Sequence, residues 1–145
     1  MYLFLTEATH LTVGLIIGIF LYHRYKNRQL LFLSLFVSIF IDLDHFIDYF
    51  LFVDFSRFNL AEFLAVDYVL KANKIYVLFH GWEFVLLFLL LAKKIKKYQP
   101  ILLTIALAVF GHLLVDQFTN GAIIFSYSFI YRFINDFSYN AFVGN

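Results

Sequence analysis

Ten side chains able to bind protons or metals lie inside the apolar runs of this chain: Glu7, His10, Asp42, Asp44, His45, Asp48, His80, Glu83, His112 and Asp116. They comprise six carboxylates and four of the five histidines, and no Lys or Arg shares those runs. Their spacing is regular. Glu7 and His10, Asp42 and His45, and His80 and Glu83 are three apart; Asp44 and Asp48, and His112 and Asp116, are four apart. Residues three or four apart share a helix face, so each run presents His and carboxylate on one side. Helix bundles that hold metals use such pairs. The chain has no Cys, and imidazole with carboxylate suits zinc, or else manganese or iron. Asp42, Asp44, Glu83 and Asp116 carry the charge to neutralise two divalent ions, so one or two ions are expected. Hydrolysis is the default chemistry of such a site, phosphoester cleavage being the usual work of paired metals.

These residues need elements to carry them, and the composition says which. The chain has 145 residues, 63% apolar and 14% charged, about half the charge of a soluble domain. One Pro, six Gly and no Cys exclude a disordered, fibrous or disulfide-built chain. Net charge is +1, so nothing marks a nucleic-acid partner. We expect an all-α membrane protein forming a single domain over residues 1–145. Four runs, Tyr2–Tyr22, Leu30–Val53, Ile75–Ala92 and Ile101–Phe118, approach the ~20 residues that a crossing helix needs, and together predict a compact four-helix transmembrane bundle. Leu60, Phe63, Leu64 and Leu70 predict an interfacial helix in the 54–74 connection. The tail Gly121–Asn145 reads as an interfacial segment anchored by Tyr127, Tyr131 and Tyr139, and Trp82 as a further interface anchor.

Arg24, Lys26, Arg28, Lys93, Lys94, Lys96 and Lys97 fall in the connections on one side; Arg57, Lys71, Lys74 and Arg132 fall on the other. The positive-inside rule then puts both termini outside the cytoplasm, as in a bacterial or archaeal plasma-membrane protein, with the bilayer as its partner. Depth agrees with spacing. His10 and Asp44 lie ~13 Å into their spans from that outer side, and His80 and His112 ~8–9 Å. One polar site opening outward is expected. A charged carboxylate at a helix centre costs about 2.5–3.5 kcal/mol, so six unpaired ones would cost about 15–20 kcal/mol. Protons, a wet cavity or bound cations must offset that.

The same residues resemble a known family. Thr9-His10, Asp42-Leu43-Asp44-His45, His80-Gly81-Trp82, and Gly111-His112-Leu113-Leu114-Val115-Asp116 followed by Thr119 and Gly121 resemble the YdjM-type family, described as membrane-bound, metal-dependent hydrolases. That family is in turn distantly similar to zinc-dependent phospholipase C. The resemblance implies metal ligation by His10, Asp42, Asp44, His80, His112 and Asp116. Ile41 stands where the family has Pro, and the third motif lacks its Arg and its second His, with Glu83 near that place. By helical geometry alone Asp44 is the better ligand, and Asp48 and His45 bridge or support.

The function expected is therefore a metal-dependent membrane hydrolase of an amphipathic, lipid-like ester or phosphoester. Asp48 or Glu83 would handle the proton as catalytic groups, Glu83 would also complete the metal shell beside His10, and Glu7 and His45 would stand behind the ligands. Two other readings use the same cluster: a proton- or cation-conducting subunit, and a catalytically degenerate structural subunit, alone or in an oligomer. The chain has no Gly-x-Ser-x-Gly elbow, phosphate loop or His-Glu-x-x-His helix, which removes serine-hydrolase, nucleotide-enzyme and zincin readings.

Overall fold

The computed structural model describes residues 2–144, so residues 1 and 145, the outermost ends of the expected domain, lie outside it. Its regular elements are helical: α1 (Tyr2–Tyr25), α2 (Gln29–Phe40), α3 (Asp44–Phe52), α4 (Leu60–Ala65), α5 (Asp67–Ala72), α6 (Trp82–Lys94), α7 (Gln99–Thr119), α8 (Phe129–Ile134) and α9 (Tyr139–Val143). Three helical stretches among the described residues are long and apolar enough to cross a membrane: Phe4–Tyr25, Gln29–Phe52 and Lys96–Thr119. The second joins α2 to α3 through a 3-10 turn at Ile41–Leu43. The third expected span is different. Its helix begins only at Trp82 and has 13 residues, fewer than the ~20 that cross unaided. Ile75–Gly81, expected as its first two turns, is irregular chain.

α7 is the central helix. It packs against α1, α2 and α6, and α1 packs against α2. Its neighbours bury Ala106, Ala108, Val109, Gly111, Leu113 and Val115, whereas Phe4, Ile16, Phe20, Phe32, Phe36, Leu86 and Leu90 stay exposed on α1, α2 and α6. That outward apolar belt is what lipid-facing helices show. Small residues set the approach of α1 to its neighbours, as is usual between membrane helices. A Cβ on Gly14 would come within 2.3 Å of Ser38 Oγ, and one on Gly111 within 2.7 Å of Val13. Ser34 Oγ closes the α1–α2 seam by donating to the Gly14 carbonyl at 2.8 Å.

These contacts run antiparallel and bring Arg24, Lys26, Arg28, Lys93, Lys94, Lys96 and Lys97 to one end of the bundle. The other end is built from short pieces. α4 starts at Asn59, whose side chain accepts from the Ala61 and Glu62 N–H groups. Residues 54–74 form two short helices instead of one, divided by Val66 in the left-handed region at φ 59. Leu60, Leu64 and Leu70 point outward there, and Phe63 is half-buried. The tail folds back over the bundle. Tyr127 is buried and accepts from Asn120 Nδ2 at 2.9 Å, so it is an interior residue and no interface anchor. Trp82 donates to the Ile124 carbonyl at 3.2 Å, tying α6 to the tail.

Candidate metal centre

Four elements supply the cluster. α1 carries His10, the 3-10 turn Asp42, the irregular 75–81 segment His80, and α7 His112 with Asp116 one turn on. The 3-10 turn matters because its step of ~120° per residue sets residues two apart ~120° apart around the axis, against ~160° in an α-helix. Asp42 and Asp44 can thereby both reach one imidazole. Asp42 Oδ1 lies 3.1 Å from His80 Nε2, and Asp44 Oδ2 lies 3.0 Å from His80 Nδ1.

Both central imidazoles are oriented through Nδ1. His80 donates to Asp44, and His112 Nδ1 donates to the Ser38 carbonyl at 3.0 Å. In the neutral ring each Nε2 is then a lone pair, and the two Nε2 atoms face each other at 3.2 Å. Asp42 Oδ1 and Asp116 Oδ2 complete the group. His112 Nε2 lies 3.3 Å from both, and His80 Nε2 lies 3.5 Å from Asp116 Oδ2. A tetrahedral ion with bonds of about 2.0–2.2 Å separates its ligand atoms by about 3.3–3.6 Å. The five separations here run from 3.1 to 3.5 Å. Four such atoms meeting at these distances repel one another unless a cation or shared protons lie among them. Further buried polar atoms also lack partners: His10 Nδ1, Asp42 Oδ2 and Asp44 Oδ1. The donor set therefore fits a divalent metal, and two adjacent triads that share no residue could each hold an ion, His10–His112–Asp116 and Asp42–His45–His80.

The other expected site residues sit around this group. His10 stacks on His112 with ring centroids 3.7 Å apart, and its Nε2 reaches Asp116 Oδ1 at 3.3 Å. His45 flanks Asp42 at 3.7 Å. Asp44 stands behind His80 and also accepts the Phe79 N–H at 2.7 Å, so it orients the His80 ring and is not itself among the converging atoms. Such a carboxylate on the far nitrogen of a ligating imidazole is the common outer partner of metal sites. Glu7 lines the cavity beside His10.

Asp48 and Glu83 lie apart from the cluster. Asp48 accepts the Tyr76 N–H at 2.8 Å and the Val77 N–H at 3.1 Å. Glu83 accepts from Ser128 Oγ and from the Phe129 and Ile130 N–H groups at the start of α8. Both carboxylates satisfy backbone donors that irregular chain and a helix start would otherwise leave unpaired. The proton-handling role expected of them has no geometric support.

One functional residue escaped the sequence reading. Arg132, taken there as a loop cation, is 2% exposed. It donates to the Val77, His80 and Ser126 carbonyls at 3.1, 2.8 and 2.9 Å. Burial lowers its proton affinity, and the carboxylates of Glu83, Asp44 and Asp48 oppose that. Asp48 and Asp44 thus hold the N–H groups of the His80 segment while Arg132 holds its carbonyls. Val77 lies at φ 36 within it, a conformation costly for a β-branched residue and maintained only where its surroundings over-determine it. The signal available in the sequence was a single Arg in a tail otherwise poor in cations.

The cluster faces a cavity of about 620 Å³ through His10, Asp42, His80 and Asp116, with Tyr68, Tyr127 and Phe142 on other walls. Burial and the nearby Asp116 carboxylate push the Tyr127 phenol up, so it stays neutral. No family model, curated protein or solved structure matches the chain.

Proposed function

We propose that this chain is a membrane-embedded, metal-dependent hydrolase of an amphipathic ester or phosphoester. The observation that carries the reading is the convergence of His80 Nε2, His112 Nε2, Asp42 Oδ1 and Asp116 Oδ2 with each Nδ1 already engaged. Those four atoms are the ligand set, for zinc by preference, with manganese or iron as competitors. Asp44 and the Ser38 carbonyl hold the two rings, and His10 and His45 flank the carboxylates. When bound, the metal supplies Lewis acidity, activating water and polarising the acyl or phosphoryl group. Glu7, on the cavity wall, accepts the proton. The likeness of the motifs to the YdjM-type family agrees with this assignment for those four residues, and would count His10 and Asp44 as ligands too.

In the same reading α6 and the irregular segment before it make the fourth crossing. Non-helical backbone at membrane depth is tolerated where protein surrounds it and supplies its hydrogen bonds, as Asp48, Asp44 and Arg132 do here. The seven-cation end faces the cytoplasm, and the site and both termini lie on the other side. Conduction is the weaker use of the cluster. Between it and the cationic end α1, α2 and α7 carry only hydroxyls, at Thr12, Ser34, Ser38 and Thr104, and no titratable side chain until Tyr22, while Glu83 on α6 is held by Ser128 and the start of α8. A relay would stop halfway.

Elemental mass spectrometry on detergent-purified chain tests the proposal. Zinc or manganese is expected at about one equivalent, and absent from a His112→Ala, Asp116→Ala variant. If neither protein holds metal after growth with metals supplied and without chelator, the hydrolase reading falls.

A further inference from the structure

The cavity in front of the cluster reaches the outside through apolar residues. Ile39, Leu43, Phe46, Leu64 and Val66 line it, and each is 37–48% exposed. Ile39, Leu43 and Phe46 lie on the Gln29–Phe52 span on either side of and within its 3-10 turn, and all three face the cavity, so they form one stripe of it. They stand ~15–26 Å from the start of that span at ~1.5 Å per residue, within a hydrocarbon layer ~30 Å thick. The medium outside such a mouth is acyl chain, not water.

The charge of the walls narrows the occupant further. Glu7, Asp42 and Asp116 face the cavity, and no Lys or Arg is among its described lining residues. Three of the four cations of the surrounding segments are engaged elsewhere, Lys71 with Glu62, Lys74 with Asp136 and Arg132 with three carbonyls, and the fourth, Arg57, does not line the cavity. An anionic head group would meet carboxylates with no side-chain cation to offset them. A head without net charge meets no such penalty.

We propose that the cavity binds a membrane lipid of no net charge that enters sideways, its acyl chain along the Ile39–Leu43–Phe46 stripe and its ester group toward the cluster. That the lipid is also cleaved rests on the hydrolase reading; that it binds does not. The volume, about 620 Å³, is in the ~300–1,000 Å³ range of small-molecule sites.

Native mass spectrometry of the full chain in detergent tests this, with metal stripped by a chelator and with zinc restored. The probes are phosphatidylcholine, diacylglycerol and phosphatidic acid with the same two acyl chains. The first two are expected to bind at one per chain with and without zinc, and in the metal-stripped chain at least tenfold more tightly than phosphatidic acid. Leu64→Trp and Ile39→Trp, which narrow the mouth without touching the cluster, are expected to weaken that binding tenfold or more and to leave zinc content unchanged. Equal binding by wild type and both variants, or a preference for phosphatidic acid, overturns the lipid site. If zinc remains bound in that case, the hydrolase reading stands with a water-soluble ester as substrate. Lipid bound and zinc never bound supports the lipid site and removes the hydrolase.

Discussion

An imidazole that donates through Nδ1 to a fixed acceptor offers its Nε2 lone pair in one direction only. His80 and His112 are both fixed this way, by Asp44 and by the Ser38 carbonyl, and both aim at Asp42 and Asp116. The ten polar residues thus divide by what they touch, not by type. Asp44 touches the His80 imidazole, Asp48 a strained segment, and Glu83 a helix start. This division makes a prediction. Asp44→Asn removes the carboxylate behind His80 and is expected to weaken metal affinity about 10–100-fold, the usual cost of losing such a partner. Glu83→Gln, although Glu83 looked like a ligand in the sequence, is expected to leave metal affinity within about twofold, because its contacts are to α8. Competitive metal titration with a chromophoric chelator measures both. Equal losses in the two variants would contradict the division.

Among the elements, the 75–81 segment and the tail depend on each other. The segment brings His80 to the site without a helix around it, and the tail supplies Arg132 and the Phe137 carbonyl that accepts the Ile75 N–H at 2.9 Å. Arg132→Gln leaves buried carbonyls with fewer donors at about 1–3 kcal/mol each. The expected result is a thermal midpoint in detergent lowered by several degrees together with an altered visible spectrum of the cobalt-loaded chain, since His80 loses its brace. An unchanged cobalt spectrum at lowered stability would show that Arg132 supports the fold and not the ligand. The helices α1, α2 and α7 were legible in the sequence because unbroken apolar runs have few alternatives in lipid. The break before Trp82 was not. The run from Ile75 is as apolar as a helix, and only the partners of its backbone, contributed by Asp48, Asp44 and Arg132 from far along the chain, make irregular chain tolerable there.

For the whole molecule, the seven cations gathered at one end predict an orientation that the absence of Cys makes simple to measure. Asn27→Cys, at the cationic end, is expected to resist a membrane-impermeant maleimide in intact cells, and Asn140→Cys, on the tail, to react with it. The reverse pattern would place the site on the cytoplasmic side. Composition and spacing alone determined that this is a helical chain with spans suited to a membrane, that His and carboxylate residues recur on single faces, and that cations collect in two connections. Those properties follow from side-chain hydropathy and helical period, which are local. Tertiary structure alone decided which carboxylates meet the imidazoles, because ligation depends on which lone pairs remain after backbone donors and carbonyls have taken theirs, and those partners come from residues up to 74 positions apart.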